Sequence, residues 1–159
     1  VMNVASLRKF FAESMDEAVD LRVTDAFSGA NESGLAANTL GYPDTVSEDV
    51  CWTGSFDGHS QALSETGAVA LEDLADGRYE IVLFASRSGN DGGIGRLTRF
   101  AVGGVFQDVE ISDNTQTTAV FTDVSPDAAG RITIEVAVSP AGSGRFGYLG
   151  AVVLTKTAD

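Results

Sequence analysis

The stretch Arg78 to Gly104, RYEIVLFASRSGNDGGIGRLTRFAVGG, decides the fold. Its strand-like runs, Tyr79 to Ser86 and Leu97 to Val102, flank a glycine-rich loop between Gly89 and Gly95. The first run is apolar on both alternating faces from Ile81 to Ala85, the mark of a strand covered on both sides. Arg87 closes it, and Arg96 and Arg99 stand where the chain returns. The segment therefore reads as a buried central hairpin with an arginine-flanked loop.

Further strands follow at short intervals on either side. Val19, Leu21 and Val23 alternate with Asp20, Arg22 and Thr24, and Ala68 to Leu74 precedes the central run. Val105 to Ile111 and Thr117 to Val124 come next, and the chain closes with Phe146 to Thr155. In Arg131 to Val138, Ile132, Ile134, Val136 and Val138 face one way while Arg131, Thr133 and Glu135 face the other, the pattern of a half-buried strand. The helical spacing of Leu7, Phe10, Phe11, Met15 and Ala18 predicts one short amphipathic helix over Ser6 to Ala18. Asp25 to Gly58, rich in Gly, Ser, Asn and Asp with a turn at Tyr42-Pro43-Asp44, reads as a long irregular segment, often a binding surface. Strands with turn punctuation and a single helix predict an all-β fold, an antiparallel β-sandwich.

At 159 residues, with 43% hydrophobic and 21% charged residues, the chain is expected to be one folded domain with its own core. Val1 is not an initiator, so the domain reads as a piece excised from a longer protein. The net charge of -13 argues against nucleic acid and anionic membrane, because the phosphate interaction is repulsive overall. No run is long enough to span a bilayer. Lys9 and Lys156 are the only lysines and the remaining cations are arginines, the better residue for bidentate or stacked contacts. The single cysteine, Cys51, excludes an internal disulfide and reads as a buried, inert thiol.

The phrase LFASRSGNDGGIGRLTRFAVGG, with VSPDAAGRITIEVAV and GYLGAVVL further on, resembles an accessory module of extracellular bacterial proteins, often attached to esterases or polysaccharide-degrading enzymes. Its pattern is an apolar strand ending in Ser-Arg (Ser86-Arg87), a polar loop, then Arg-x-Thr-x-aromatic-x-Val-x-Gly (Arg96 to Gly104). VTDAFSGANESG and GYPDTVSED upstream are similar to it as well, so the resemblance runs from about Val19 onward. It implies a galactose-binding-like jelly roll, an extracellular or cell-surface location, a poly- or oligosaccharide partner and neighbouring catalytic or adhesive domains.

A sugar site needs flat rings to stack on pyranose C–H faces and planar polar groups to pair with vicinal hydroxyls. Tyr42 and Trp52 are the candidate platforms, and Arg87, Asn90, Asp91 and Arg96 the candidate polar fork. Each has a structural alternative. Trp52 could be core, Arg87 a buried partner of Asp25 or Asp49, and Asn90-Asp91-Gly92 simply a turn. A structural calcium held by Asp25, Asp44 and Asp49 is a further expectation from loop composition and resemblance. Asp123 to Ile134 begins like an EF-hand but has Ala128 and Ile134 where Gly and Glu are needed. For catalysis, His59 is the only histidine, and neither G-x-S-x-G nor H-E-x-x-H occurs. The expectation is a non-catalytic carbohydrate-binding module. A glycan-free structural or adhesive spacer and a carboxylate-based glycan-active enzyme are the alternatives.

Overall fold

In a computed structural model, residues 19–54, 64–89 and 95–158 are described. The expected helix over Ser6 to Ala18, His59, Asn90 and Asp91 lie outside them. The elements are β1 (Asp20–Asp25), β2 (Gly29–Glu32), α1 (Asp44–Glu48), β3 (Asp49–Gly54), β4 (Thr66–Glu72), β5 (Arg78–Phe84), β6 (Leu97–Val102), β7 (Val105–Glu110), β8 (Ala119–Val124), β9 (Ile132–Val138), β10 (Phe146–Leu149) and β11 (Ala151–Ala158).

One sheet has the antiparallel order β1-β4-β9-β6-β7. The other is assembled by the last strand, which changes partner at Gly150. Before it, β10 pairs with β3; after it, β11 pairs with β5, and the Gly150 N–H donates to the Phe84 carbonyl at 3.0 Å. The opposing layer therefore runs β2-β3-β10/β11-β5-β8. With β10 and β11 counted as one bent strand, the orders β3-β10/β11-β5-β8 and β4-β9-β6-β7 are those of a jelly roll, and β1 and β2 extend one edge of each sheet.

The core lies between the layers. Ile132, Ile134 and Val136 of β9 are buried while Thr133 and Glu135 are exposed, as their alternation predicts. Phe100, Val69 and Leu71 join them, and Tyr79, Ile81, Leu83 and Leu149 come from the other sheet. Each fully buried large apolar side chain contributes about 1.5–3 kcal/mol relative to exposure. β5 is covered on its second face too, since Phe84 is fully buried and meets the Tyr42 ring edge-on, centroids 5.7 Å apart.

Two expectations are corrected. The central segment is not a hairpin: β5 pairs with β11 and β8, β6 with β9 and β7, so the chain crosses from one sheet to the other between them. An apolar run on each side of a glycine-rich loop has the same pattern in a hairpin and in a crossing; only partner choice separates them. Nor is Asp25 to Gly58 irregular throughout, for it holds β2, α1 and β3. Turn-forming residues on either side obscured the short run Val50-Cys51-Trp52-Thr53, whose residue types favour strand.

Gly147, in β10, has its missing side chain directed at β9, where a Cβ would fall 2.5 Å from the Ala137 carbonyl oxygen. Backbone cannot yield as a flexible side chain can. Gly147→Ala should cost about 1–3 kcal/mol through overpacking, read as a lower urea midpoint with an unchanged slope.

Candidate functional site

The Ser86-Arg87 pair that ends the central apolar run is held by the loop after β2. The Ser33 carbonyl accepts from Arg87 Nη1 at 3.2 Å and from the N–H and Oγ of Ser88, both at 2.8 Å. Ser86 Oγ accepts the Leu35 N–H at 3.4 Å. On the other side the Arg87 N–H donates to the Ile111 carbonyl at 2.8 Å, and the Arg87 carbonyl accepts the Asp113 N–H at 2.9 Å. Arg87 is thus fixed through its backbone, leaving its half-exposed guanidinium with a carbonyl partner.

Arg96 returns to the same place. Its N–H donates to Glu110 Oε1 at 2.9 Å and its guanidinium to the Ser88 carbonyl at 3.4 Å. Burial raises the Glu110 carboxyl, but hydrogen bonds from the Ser112, Arg96 and Ile111 backbones and the Ser112 side chain outweigh it, so the group lies below its ordinary value. The loop from β9 to β10 closes on Arg96, with the Gly144 N–H donating to the Gly95 carbonyl at 3.3 Å. A Cβ on Gly144 would stand 3.1 Å from the Arg96 Cα, so a larger residue would push the two loops apart.

At these loops lies a cleft of about 240 Å³, lined by Arg87 and Arg96 from the β5–β6 connection, Ser143, Gly144 and Arg145 from the β9–β10 loop, and Phe146 and Tyr148 of β10. Because strand side chains alternate, Phe146 and Tyr148 share the face of β10 opposite to Gly147. Trp52 stands across from Tyr148 in the register of β3 and meets Phe146 edge-on at 5.2 Å; Phe146 in turn meets Tyr148 at 6.4 Å. The Trp52 indole covers Gly29, where a Cβ would come within 2.5 Å of it. Tyr148 is further fixed by its N–H, which donates to the buried Thr98 Oγ1 at 3.0 Å.

Of the residues singled out in the sequence, Arg87 and Arg96 come together, and Trp52 adjoins them through Phe146. Trp52 is a strand residue, half-buried, and not a loop platform. Tyr42 is elsewhere, folded over Phe84, where burial pushes its phenol up from its ordinary pKa. Arg145, Phe146 and Tyr148 were missed; GSGRFGY carries arginine and alternating aromatics after a glycine-rich turn, a signal read only as the start of a strand. Arg87 does not pair with Asp25 or Asp49. Asp25 accepts the Thr66 hydroxyl at 2.6 Å, and Asp49 follows α1, its N–H bonded to the Thr45 carbonyl. Asp44 opens that helix, and among the described residues no three potential ligands gather as a metal site would require. The Cys51 thiol is half-buried and pushed up, first by burial and then by the Asp49 carboxylate, which leaves it little thiolate.

Fold and cleft together define an antiparallel jelly-roll β-sandwich with an arginine-rich, aromatic-lined groove at the rim where two inter-sheet crossings meet. No family model and no curated protein matches the chain. Among solved structures, the ANX2 ectodomain from Arabidopsis thaliana is similar at TM-score 0.63 and 9% identity, over 86% of this chain and 42% of that one. The chain thus spans about two fifths of the length of that ectodomain, which shares its fold. TmCBM61 in complex with β-1,4-galactotriose aligns over 86% of this chain and 88% of that one, at 16% identity and TM-score 0.41.

Arg99, the last of the arginines in the central segment, lies outside the cleft walls. It binds Asp108 through two 2.8 Å hydrogen bonds and stacks over Phe106 at 4.0 Å. The Arg99 hydrogen bond, against opposing burial, holds the Asp108 carboxyl below its ordinary 3.8. A carboxylate with a depressed folded-state pKa stabilises above its unfolded value and loses that contribution as pH falls through the folded one. Asp108→Asn should therefore lower the melting temperature near neutrality, and the gap to the parent should narrow as pH falls below 3.8, as thermal melts from pH 7 downward would read. A second test concerns Arg87. Arg87→Ala should cost about 1 kcal/mol in denaturant melts through the bond to Ser33, and no more, because backbone bonds keep the segment in place.

Proposed function

We propose that this domain is a non-catalytic carbohydrate-binding module whose site is the cleft between Arg87, Arg96 and β10. The observation that carries this reading is the convergence of sequence-distant guanidinium planes and aromatic rings on one open cleft. Rings offer apolar faces for sugar C–H groups, and guanidinium forks pair with vicinal oxygens. Both wall and floor are tied by backbone hydrogen bonds, so the groove is preformed and little ordering is required on binding. Among the described residues lining the cleft there is no Asp or Glu, which favours binding over two-carboxylate glycoside chemistry.

The resemblance noted from the sequence supports an extracellular or cell-surface setting beside catalytic or adhesive domains, and the described residues hold no helix long and apolar enough to cross a membrane. Asn90 and Asp91, in the loop between Arg87 and Arg96, belong to the same proposed polar fork. Calcium enters only as a condition to vary.

Binding of the folded domain to an array of polysaccharides and oligosaccharides, with calcium and with chelator, is the direct test. Retention on one glycan class is expected, and Phe146→Ala should weaken it about tenfold by removing a ring of the floor. Silence across the array from a domain shown to be folded would leave the spacer reading in its place.

A further inference from the structure

The charges around this cleft are unusual for the chain that carries them. The protein has a net charge of -13, with 23 acidic residues against 10 basic ones, yet Arg87, Arg96 and Arg145 all line one cleft. Elsewhere among the described residues three arginines face carboxylates: Arg22 faces Glu72 at 3.7 Å, Arg99 holds Asp108 at 2.8 Å and Arg131 holds Asp127 at 3.1 Å. Arg78, outside the cleft, donates to the Asp123 backbone carbonyl at 3.1 Å. Within the cleft, no described carboxylate lies within 4.0 Å of Arg87 or Arg145. In a chain so rich in carboxylates, two guanidinium groups facing one groove without an acidic partner mark a place kept for an anion from outside.

We infer that the cleft takes a carboxylate-bearing saccharide, a uronic-acid unit within an oligo- or polysaccharide; this rests on the glycan-binding reading and narrows it. Guanidinium forks match a carboxylate with two parallel charge-assisted hydrogen bonds, stronger than the neutral pair that vicinal hydroxyls accept. Phe146, partly exposed and packed edge-on against the buried Tyr148, supplies the apolar surface for the ring that bears the carboxylate. The overall negative charge is compatible with this. At physiological salt the Debye length is about 8 Å, so distant carboxylates are largely screened while groups in contact are not. A long polyphosphate duplex would have to lie along acidic surface; a single uronate in the groove does not.

The test compares polygalacturonate, the same polymer after reduction of its carboxyl groups, and heparin as a sulfated probe, by affinity electrophoresis and calorimetry with the intact domain. The expected result is binding to polygalacturonate at least about tenfold tighter than to the reduced polymer, the difference that one charge-assisted bidentate contact confers. Raising salt should weaken the first and leave the second unchanged. Arg145→Gln, at an exposed loop position, should erase most of the preference without changing the melting temperature. Arg145→Lys, which keeps the charge and loses the fork, should restore it only in part. Equal affinity for native and reduced polymer would overturn the carboxylate inference and leave the glycan reading standing. Preference for heparin would overturn it in favour of sulfate. Binding to none of the probes, or to any glycan of a broad array, would remove both.

Discussion

The second sheet depends on one strand serving two partners. The strand runs beside β3 as β10 up to Leu149, and after Gly150 it leaves β3 and joins β5 as β11, starting opposite Phe84. Had the strand run on straight beside one neighbour, β2 and β3 would have no attachment to β5 and β8. The change of direction takes β10 over β9 and β6, where Gly147 permits close approach to β9 and Thr98 receives the Tyr148 N–H. The parting of β10 from the end of β5 leaves an opening, and the cleft occupies it. Packing and binding geometry therefore have a common origin.

The Ser33 carbonyl has a complementary part. It gathers the Ser88 N–H, the Ser88 hydroxyl and the Arg87 guanidinium at one oxygen, so the segment leaving β5 is bound to the end of β2. A carbonyl oxygen has two lone pairs, and three donors on one oxygen use its acceptor capacity to the full. This accounts for a Ser-Arg-Ser sequence at the end of an apolar strand in structural terms, before any ligand is considered. Arg87 has two uses in consequence: its backbone and one nitrogen hold the loop, while the remainder of the fork faces the groove.

The sequence was informative where period and burial agree. Ile132 to Val138 alternates cleanly because one face meets the core and the other meets solvent, and β9 is there as read. The β-sandwich was legible for the same reason. Strand partners were less so: the runs flanking Gly89 to Gly95 carry no mark of whether they pair with each other or lie in different sheets, and in the fold they lie in different sheets. Within the site, Arg87 and Arg96 were legible because they bracket one loop. Arg145, Phe146 and Tyr148 come from a segment some fifty residues away, brought in by the bend at Gly150, and no local pattern records that meeting. Tyr42 packs edge-on against Phe84, away from the cleft residues, a long-range contact that no local pattern records.

The cleft walls hang from two of the connections that carry the chain between the sheets, β5 to β6 and β9 to β10. Any molecule that touches Arg87 or Arg96 on one side and Arg145 on the other bridges both crossings at once. Occupancy then ties the two layers together at their rim and adds to the free energy of unfolding by mass action, with no core residue altered. In mechanical terms, a ligand filling the groove would act as a clasp on the seam between the sheets. A domain of this kind set in an extracellular chain would resist pulling best while it holds its ligand.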